Sequence, residues 1–319
     1  MEAILLVHGG AGDITDARVD GKLDGMKQAL RSAKEHLWPS SGEDGNALDA
    51  VEAAVREMEC NGNFNAGYGA CLNLEEKAEV EASIMDGAEL KAGCVTLLHD
   101  ILHPISVARC VMEKTKHSFL GGTAAQKFAL EQGFEQLEDG SLVTKDALLA
   151  LNEFKNLQAK GLDTTYARTE LDVPGEPGTV GAVAIDSKGN IAVATSTGGI
   201  TGKVPGRIGD TPLLGCGTYA DNSIGGVSTT GHGETIMRFN LAQQILSKIR
   251  YEKKTAQQAT EDACKEMTER LIGTAGAITI DRKGQIGIYW TSKRMAWAYT
   301  KGTNIICGIN HNEKFIEEL

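Results

Sequence analysis

The sequence has few aromatic residues, 5% of the total, which argues against a recognition surface built from stacked rings. It has no basic tract either. The 32 Lys and Arg are outnumbered by 43 Asp and Glu, and the formal net charge of −11 repels polyanions, so nucleic acid and anionic membrane surfaces are not expected partners. No stretch approaches the roughly 18 apolar residues of a membrane span. The run Ile4–Val7 is too short for the apolar region of a secretory signal and reads as a buried strand. The cysteines (Cys60, Cys71, Cys94, Cys110, Cys216, Cys264 and Cys307) are dispersed and odd in number, with no C-x-x-C pair and no zinc-ligand spacing. They read as reduced thiols of a cytoplasmic protein, and none stands out as a nucleophile.

What is present is ordinary for a globular chain: 319 residues, 41% hydrophobic and 24% charged, enough for a sizeable core. The 38 glycines suit tight turns and small-residue packing. A strand over Ala3–Val7 is expected to end in a glycine turn, His8-Gly9-Gly10-Ala11-Gly12, followed by helix to about His36. A helix over Ala47–Met58 puts Ala50, Val51, Ala54, Val55 and Met58 on one face, with Asn46 as its N-cap. Alternation predicts strands at Val80–Met85 and Gly93–Leu98. Helices follow at Pro104–Glu113, Thr123–Gln132 and Lys145–Gln158, with Pro104 suited to a first turn. From Ala159 to Gly178 the periodicity dissolves into a polar stretch with two prolines, which reads as a mobile linker.

Order resumes at Thr179 with a strand, a Ser187-Lys188-Gly189-Asn190 turn and a second strand. Helices over Glu234–Arg250 and Ala256–Leu271 precede a final hairpin. The segment from Thr179 to Ile191 closely matches that from Thr274 to Ile286, and each threonine follows a glycine. Shared strand–turn–strand chemistry accounts for the match without a duplication. These elements predict one α/β domain over residues 1–319, with layered antiparallel sheets covered by helices.

A threonine hydroxyl is a weak nucleophile until a base takes its proton. A threonine that begins a chain can use its own α-amine, whose pKa of about 7.7–8.0 leaves it partly neutral at working pH, unlike a lysine near 10.4. The Gly178-Thr179 junction suits that arrangement: a linker delivers the chain, glycine tolerates backbone strain, and a strand follows. Taken alone, Gly-Thr would far more often be the plain start of a strand after a loop.

The motifs Gly178-Thr179-Val180-Gly181-Ala182-Val183, Ser196-Thr197-Gly198-Gly199, Arg207-Ile208-Gly209-Asp210 and Ser228-Thr229-Thr230-Gly231-His232-Gly233-Glu234 carry a family resemblance. So do His8-Gly9-Gly10-Ala11-Gly12, Phe64-Asn65-Ala66-Gly67 and Ala82-Ser83-Ile84-Met85-Asp86-Gly87 in the first half. Together, over nearly the whole chain, the sequence resembles the plant-type, or isoaspartyl peptidase/L-asparaginase, branch of the N-terminal-nucleophile hydrolases, nearest its animal cytosolic members.

The resemblance implies an αββα four-layer sandwich of two antiparallel sheets flanked by helices. It also implies autocleavage between Gly178 and Thr179 into fragments 1–178 and 179–319, which stay associated and pair as a homodimer of such units. The substrate would be a small molecule or dipeptide, L-asparagine or a β-aspartyl dipeptide, with no cofactor for catalysis. Thr179 would be the nucleophile and Thr197 would hold it through its hydroxyl. Arg207 would bind the α-carboxylate with its planar fork, and Asp210 the α-ammonium. As bare charges those two could instead be a surface pair worth under about 1 kcal/mol. Thr230 and the Gly231 amide would form the oxyanion hole, where losing one donor typically costs about 10²–10³ in rate. The Gly233 carbonyl would touch the substrate amine, and Asn65 would support Thr179 or the cleavage step. A structural sodium ion held by backbone carbonyls near Glu59–Phe64 is a further implication.

Other residues receive lesser roles. His232 reads as a positioning or packing residue, because the amine already fills the role of base. His8 lacks the G-x-S-x-G partner of an esterase, and its loop lacks nucleotide-binding spacing. Thr274 follows helix-like sequence, with no linker before it and none of the motif set around it. Two other functions remain open: a glycosylasparaginase-type amidase, and an uncleaved, non-catalytic amino-acid-binding protein.

Overall fold

The computed structural model describes residues 1–162 and 178–319. Its first part runs β1 (Ile4–Gly12), α1 (Asp16–Ser32), α2 (Lys34–Leu37), α3 (Ala47–Glu59), β2 (Val80–Asp86), β3 (Lys91–Leu98), α4 (Pro104–Lys114), β4 (Phe119–Gly121), α5 (Gly122–Glu131) and α6 (Lys145–Ala159). Its second part runs β5 (Val180–Ile185), β6 (Ile191–Thr197), β7 (Thr218–Asp221), β8 (Gly225–Gly231), α7 (Gly233–Phe239), α8 (Leu241–Glu252), α9 (Ala256–Leu271), β9 (Ala275–Asp281), β10 (Ile286–Trp290), β11 (Arg294–Lys301), β12 (Asn304–Gly308) and β13 (Phe315–Glu318).

The strands form a nine-stranded sheet, ordered β13-β12-β11-β1-β5-β6-β2-β3-β4, and a four-stranded sheet, ordered β10-β9-β8-β7. Residue period two explains why the sheets stack. Along β1, Leu5 and Val7 enter the core beneath α1 and α3, while Ile4 and Leu6 enter the core between the sheets. A third core, with Val227, Ile245, Ala263 and Met267, lies between the small sheet and helices α8 and α9. Helices, sheet, sheet and helices therefore form four layers. Among the described residues no helix is long and apolar enough to cross a membrane.

Several expectations hold. The Asn46 side chain caps α3, its Oδ1 accepting from the amides of Leu48 at 2.8 Å and Asp49 at 3.2 Å. Pro104 occupies the first turn of α4. The two matching hairpins do not pack as a repeat, since β5–β6 belongs to the large sheet and β9–β10 to the small one.

Other expectations are corrected. The glycines after His8 continue β1 instead of turning it, and its pairing with β11 shifts register between His8 and Ala11. A bulge of this kind bends a strand without ending it. The helix expected over Glu234–Arg250 is two helices that meet at Asn240, whose φ of 57° breaks the hydrogen-bond ladder. The large sheet is not wholly antiparallel, because β4 pairs parallel to β3. The chain does not end in a hairpin: β11, β12 and β13 follow β10 and extend the large sheet. Of the expected linker, residues 163–177 lie outside the described residues.

Candidate active site

Of the predicted site residues, Thr179, Thr197, Thr230 and Gly231 lie at the ends of strands from both sheets, Asn65, Arg207 and Asp210 lie in loops, and Gly233 begins α7. Thr179 leads directly into β5, which runs between β1 and β6 in the middle of the large sheet. Its side chain is buried, and its Oγ1 donates to Oγ1 of Thr197 at 3.0 Å. Thr197 ends the adjacent strand, where Val180 pairs with Ser196. The same Thr197 oxygen accepts from the Gly199 amide at 3.0 Å, which fixes the hydroxyl that receives Thr179.

Asn65 ties this corner together. Its Nδ2 donates to the Gly199 carbonyl at 2.6 Å and lies 3.5 Å from Thr197 Oγ1. Its Oδ1 accepts from the amides of Cys71 at 2.8 Å and Gly198 at 3.2 Å. The asparagine thus holds the Ser-Thr-Gly-Gly turn, and through it the partner of Thr179.

The small sheet supplies the facing wall. Thr230, near the end of β8, accepts on Oγ1 from the Ala11 amide at 3.2 Å, which joins the two sheets beside the β1 bulge. Gly231 has φ +128°, and a Cβ there would lie 2.5 Å from the Thr274 carbonyl oxygen. That carbonyl also accepts from the His232 amide at 2.9 Å. Thr274, the rival threonine, directly precedes β9 and braces the backbone around Gly231. His232 caps α7, with Nδ1 3.1 Å from Thr235 Oγ1.

In the charged part of the site the guanidinium expected to bind a substrate carboxylate is held by a carboxylate of the protein itself. Arg207 donates through Nε and Nη2 to both carboxylate oxygens of Glu234, each at 3.0 Å. Its Nη1 lies 4.0 Å from Glu81 Oε1. Glu234, in the first turn of α7, therefore occupies the geometry a substrate carboxylate would use. Asp210 is buried, and burial pushes its carboxyl up to about 7 against the opposing pull of Arg207. Thr229 Oγ1 donates to Asp210 Oδ2 at 3.3 Å. A Cβ on Gly233 would come within 2.8 Å of both Arg207 Nη2 and Asp210 Oδ1, so only glycine lets the backbone pass between them.

Sequence reasoning did not single out Glu234, nor a chain of buried hydroxyls behind the site. His8 Nε2 lies 2.9 Å from Ser228 Oγ, and that hydroxyl is 2.8 Å from Thr195 Oγ1. Thr218 Oγ1 donates to Thr195 at 2.6 Å, and Ser83 Oγ lies 2.7 Å from Thr218 Oγ1 and 2.6 Å from the Thr211 carbonyl. Each member sits on a different strand or loop, so no local spacing announces the chain. Burial, reinforced by Lys22, lowers His8 to about 3, against the Thr179 backbone, and so keeps it neutral.

For the expected cation, the relevant atoms are carbonyls. Among the described residues no cluster of three or more His, Cys, Asp or Glu could hold a metal. The carbonyl oxygens of Phe64 and Gly62 lie 2.6 and 3.1 Å from the point where a Cβ of Gly69 would stand. The Gly62 Cα lies at 2.9 Å from the same point, so the space is that of a close backbone approach.

Residues 1–309 match the asparaginase family model. The chain belongs to the asparaginase family of hydrolases. It is 58% identical to a protein of Drosophila melanogaster named probable isoaspartyl peptidase/L-asparaginase, over 98% of each chain. It is 42% identical to the human isoaspartyl peptidase/L-asparaginase over the full length of both. For the Danio rerio protein of the same name, identity is 41% over 99% of this chain and 98% of the other.

Proposed function

We propose that this protein is a threonine-nucleophile amidohydrolase of the N-terminal-nucleophile fold, acting on L-asparagine and β-aspartyl dipeptides after it cuts its own chain between Gly178 and Thr179. The observation that carries the reading is the 3.0 Å hydrogen bond from Thr179 to Thr197 on the neighbouring strand. The names of the related proteins point the same way.

In the cleavage step the Thr179 oxygen bonds to the Gly178 carbonyl carbon as the Gly178–Thr179 C–N bond breaks. The hydroxyl proton passes to the departing nitrogen, which becomes the Thr179 amine. Water then opens the ester, leaving a carboxylate on Gly178 and restoring the hydroxyl. The freed amine now serves as base for that same hydroxyl. Substrate acylates Thr179 and loses ammonia or an amino acid, and water releases aspartate.

Thr230 and the Gly231 amide are assigned to the oxyanion, with Asp210 and the Gly233 carbonyl on the substrate ammonium. Arg207 would exchange Glu234 for the substrate α-carboxylate, a like-for-like replacement of one carboxylate by another. A sodium ion on backbone carbonyls near Glu59–Phe64 would stiffen the loop before Asn65, and the chemistry itself needs no cofactor. The surroundings that suit this reading are cytoplasmic, and two cleaved units would pair as a homodimer.

Thr179→Ala is the direct test. Mass spectra of aged protein and an ammonia-release assay should show a full-length, inactive variant beside a wild type that yields a fragment beginning Thr-Val-Gly-Ala. A variant that still cuts itself or turns over asparagine would sink the assignment.

A further inference from the structure

One buried amino group lies beside the scissile region and has no part in the steps above. Lys22, on α1, is completely buried. Its Nζ donates to the Gly9 carbonyl at 2.7 Å and lies 4.9 Å from the centre of the Phe64 ring. No Asp or Glu among the described residues contributes to its charge environment; Arg18 and Cys71 do. Burying an ammonium without a carboxylate is costly, and an apolar side chain would fill the same space without that cost. Packing alone therefore does not account for a lysine at this position.

What Lys22 holds is informative. A Cβ on Gly9 would meet the Phe64 ring at 2.5 Å, so Lys22 and Phe64 grip this peptide from one side. The next residue, Gly10, has φ +101°, and a Cβ there would lie 2.4 Å from Gly178 Cα and 2.5 Å from its carbonyl carbon. The contact is reciprocal: a Cβ on Gly178 would lie 2.7 Å from Gly10 Cα and 2.8 Å from the Ala11 nitrogen. The Gly9–Gly10 backbone is thus wedged between Lys22 and the residue that supplies the carbonyl to be attacked.

We propose that Lys22 is a positioning residue for self-cleavage, its charged grip on the Gly9 carbonyl pressing Gly10 against Gly178 and holding the scissile carbonyl in reach of Thr179. The inference rests on the reading that the chain cuts itself at Gly178–Thr179.

The surroundings make this grip sensitive to pH. Burial, with help from Arg18, pulls the Lys22 ammonium down to about 7, opposed by Cys71. His8 of β1, whose charge would oppose that of Lys22, is neutral throughout this range, with its pKa lowered to about 3. Lys22 is therefore charged below about pH 7 and largely neutral above it.

The test follows cleavage of freshly purified wild type, Lys22→Met and Thr179→Ala by denaturing gel and mass spectrometry, from about pH 5.5 to about pH 9. At the acid end wild type should cleave about tenfold or more faster than Lys22→Met, as expected for loss of a charge-assisted hydrogen bond. That ratio should shrink as pH rises through 7. A ratio that is unchanged across the range overturns the proposal, because a merely packed side chain acts equally at every pH. Lys22→Gln, which keeps a polar donor without the charge, supplies the same ratio if the methionine variant does not fold. Wild type that never cuts at Gly178–Thr179 overturns the cleavage reading itself, whereas cutting with a flat ratio overturns only the role of Lys22.

Discussion

A hydroxyl attacks well only when its proton has somewhere to go and its oxygen is held still. In the proposed mechanism Thr197 meets the second need for Thr179, since its oxygen is fixed by the Gly199 amide at 3.0 Å and accepts from Thr179. Thr197→Val removes that acceptor and leaves the Gly199 amide without this partner, at a cost of about 1–3 kcal/mol. Ammonia release per cleaved molecule should fall by about 10- to 100-fold, and an unchanged rate would remove Thr197 from the mechanism.

Asp210 carries a second prediction at this scale. Its carboxyl stands at about 7 in the folded protein, against an ordinary value of 3.8. Between those values the folded state binds a proton that the unfolded state has lost. Stability from this group is therefore full below about pH 4 and drains away as pH rises through 7. With Asp210 on the substrate ammonium, as proposed, binding has the opposite sign, because an ammonium prefers the ionised carboxylate. KM for asparagine should rise as pH falls below 7, and Asp210→Asn should show a high KM that does not change across that window. Kinetics from about pH 5 to 8 check both.

At the scale of elements, legibility followed the strength of the local signal. The helix at Ala47 announced itself through an apolar face and a capping asparagine, and both are present. Strand β8, with sequence Gly-Gly-Val-Ser-Thr-Thr-Gly, offers almost no apolar alternation, because its side chains serve the site and the hydroxyl chain as well as the core. The break at Asn240 was invisible to helical periodicity, since Leu241, Ala242, Ile245 and Leu246 continue a buried face on the far side of it. Asparagine tolerates φ > 0 better than most residues, so Asn240→Val should destabilise the protein by about 1–2 kcal/mol. Asn240→Gly should be close to neutral. Thermal unfolding of both variants measures the difference, and equal midpoints would mean that the bend is not set by this residue.

The site's members were readable as motifs, but not their mutual arrangement. Thr179, Thr197 and Asn65 converge as expected, whereas the bidentate hold of Glu234 on Arg207 depends on how α7 leaves β8. Lys22 was equally hidden, since a lone lysine on a helix normally faces water. Only the packing of α1 over Phe64 turns it inward.

For the molecule as a whole, strand order bears on what a cut at Gly178 can do. Strand β1, from the first fragment, lies between β5 and β11 of the second, and β2 pairs with β6. A nick there severs one peptide bond but leaves every ladder of the large sheet intact. Separating the pieces would mean unzipping β1 from both neighbours and exposing the apolar layers on either side of it. Each ladder bond and buried side chain adds to that barrier, and their sum resembles the cost of unfolding the domain. Cleaved protein should therefore elute from a size-exclusion column as one species containing both fragments, and resolve into two only in denaturant. Fragments that separate under native conditions would contradict the interleaved order, since no arrangement with β1 between β5 and β11 lets one piece leave while the other stays folded.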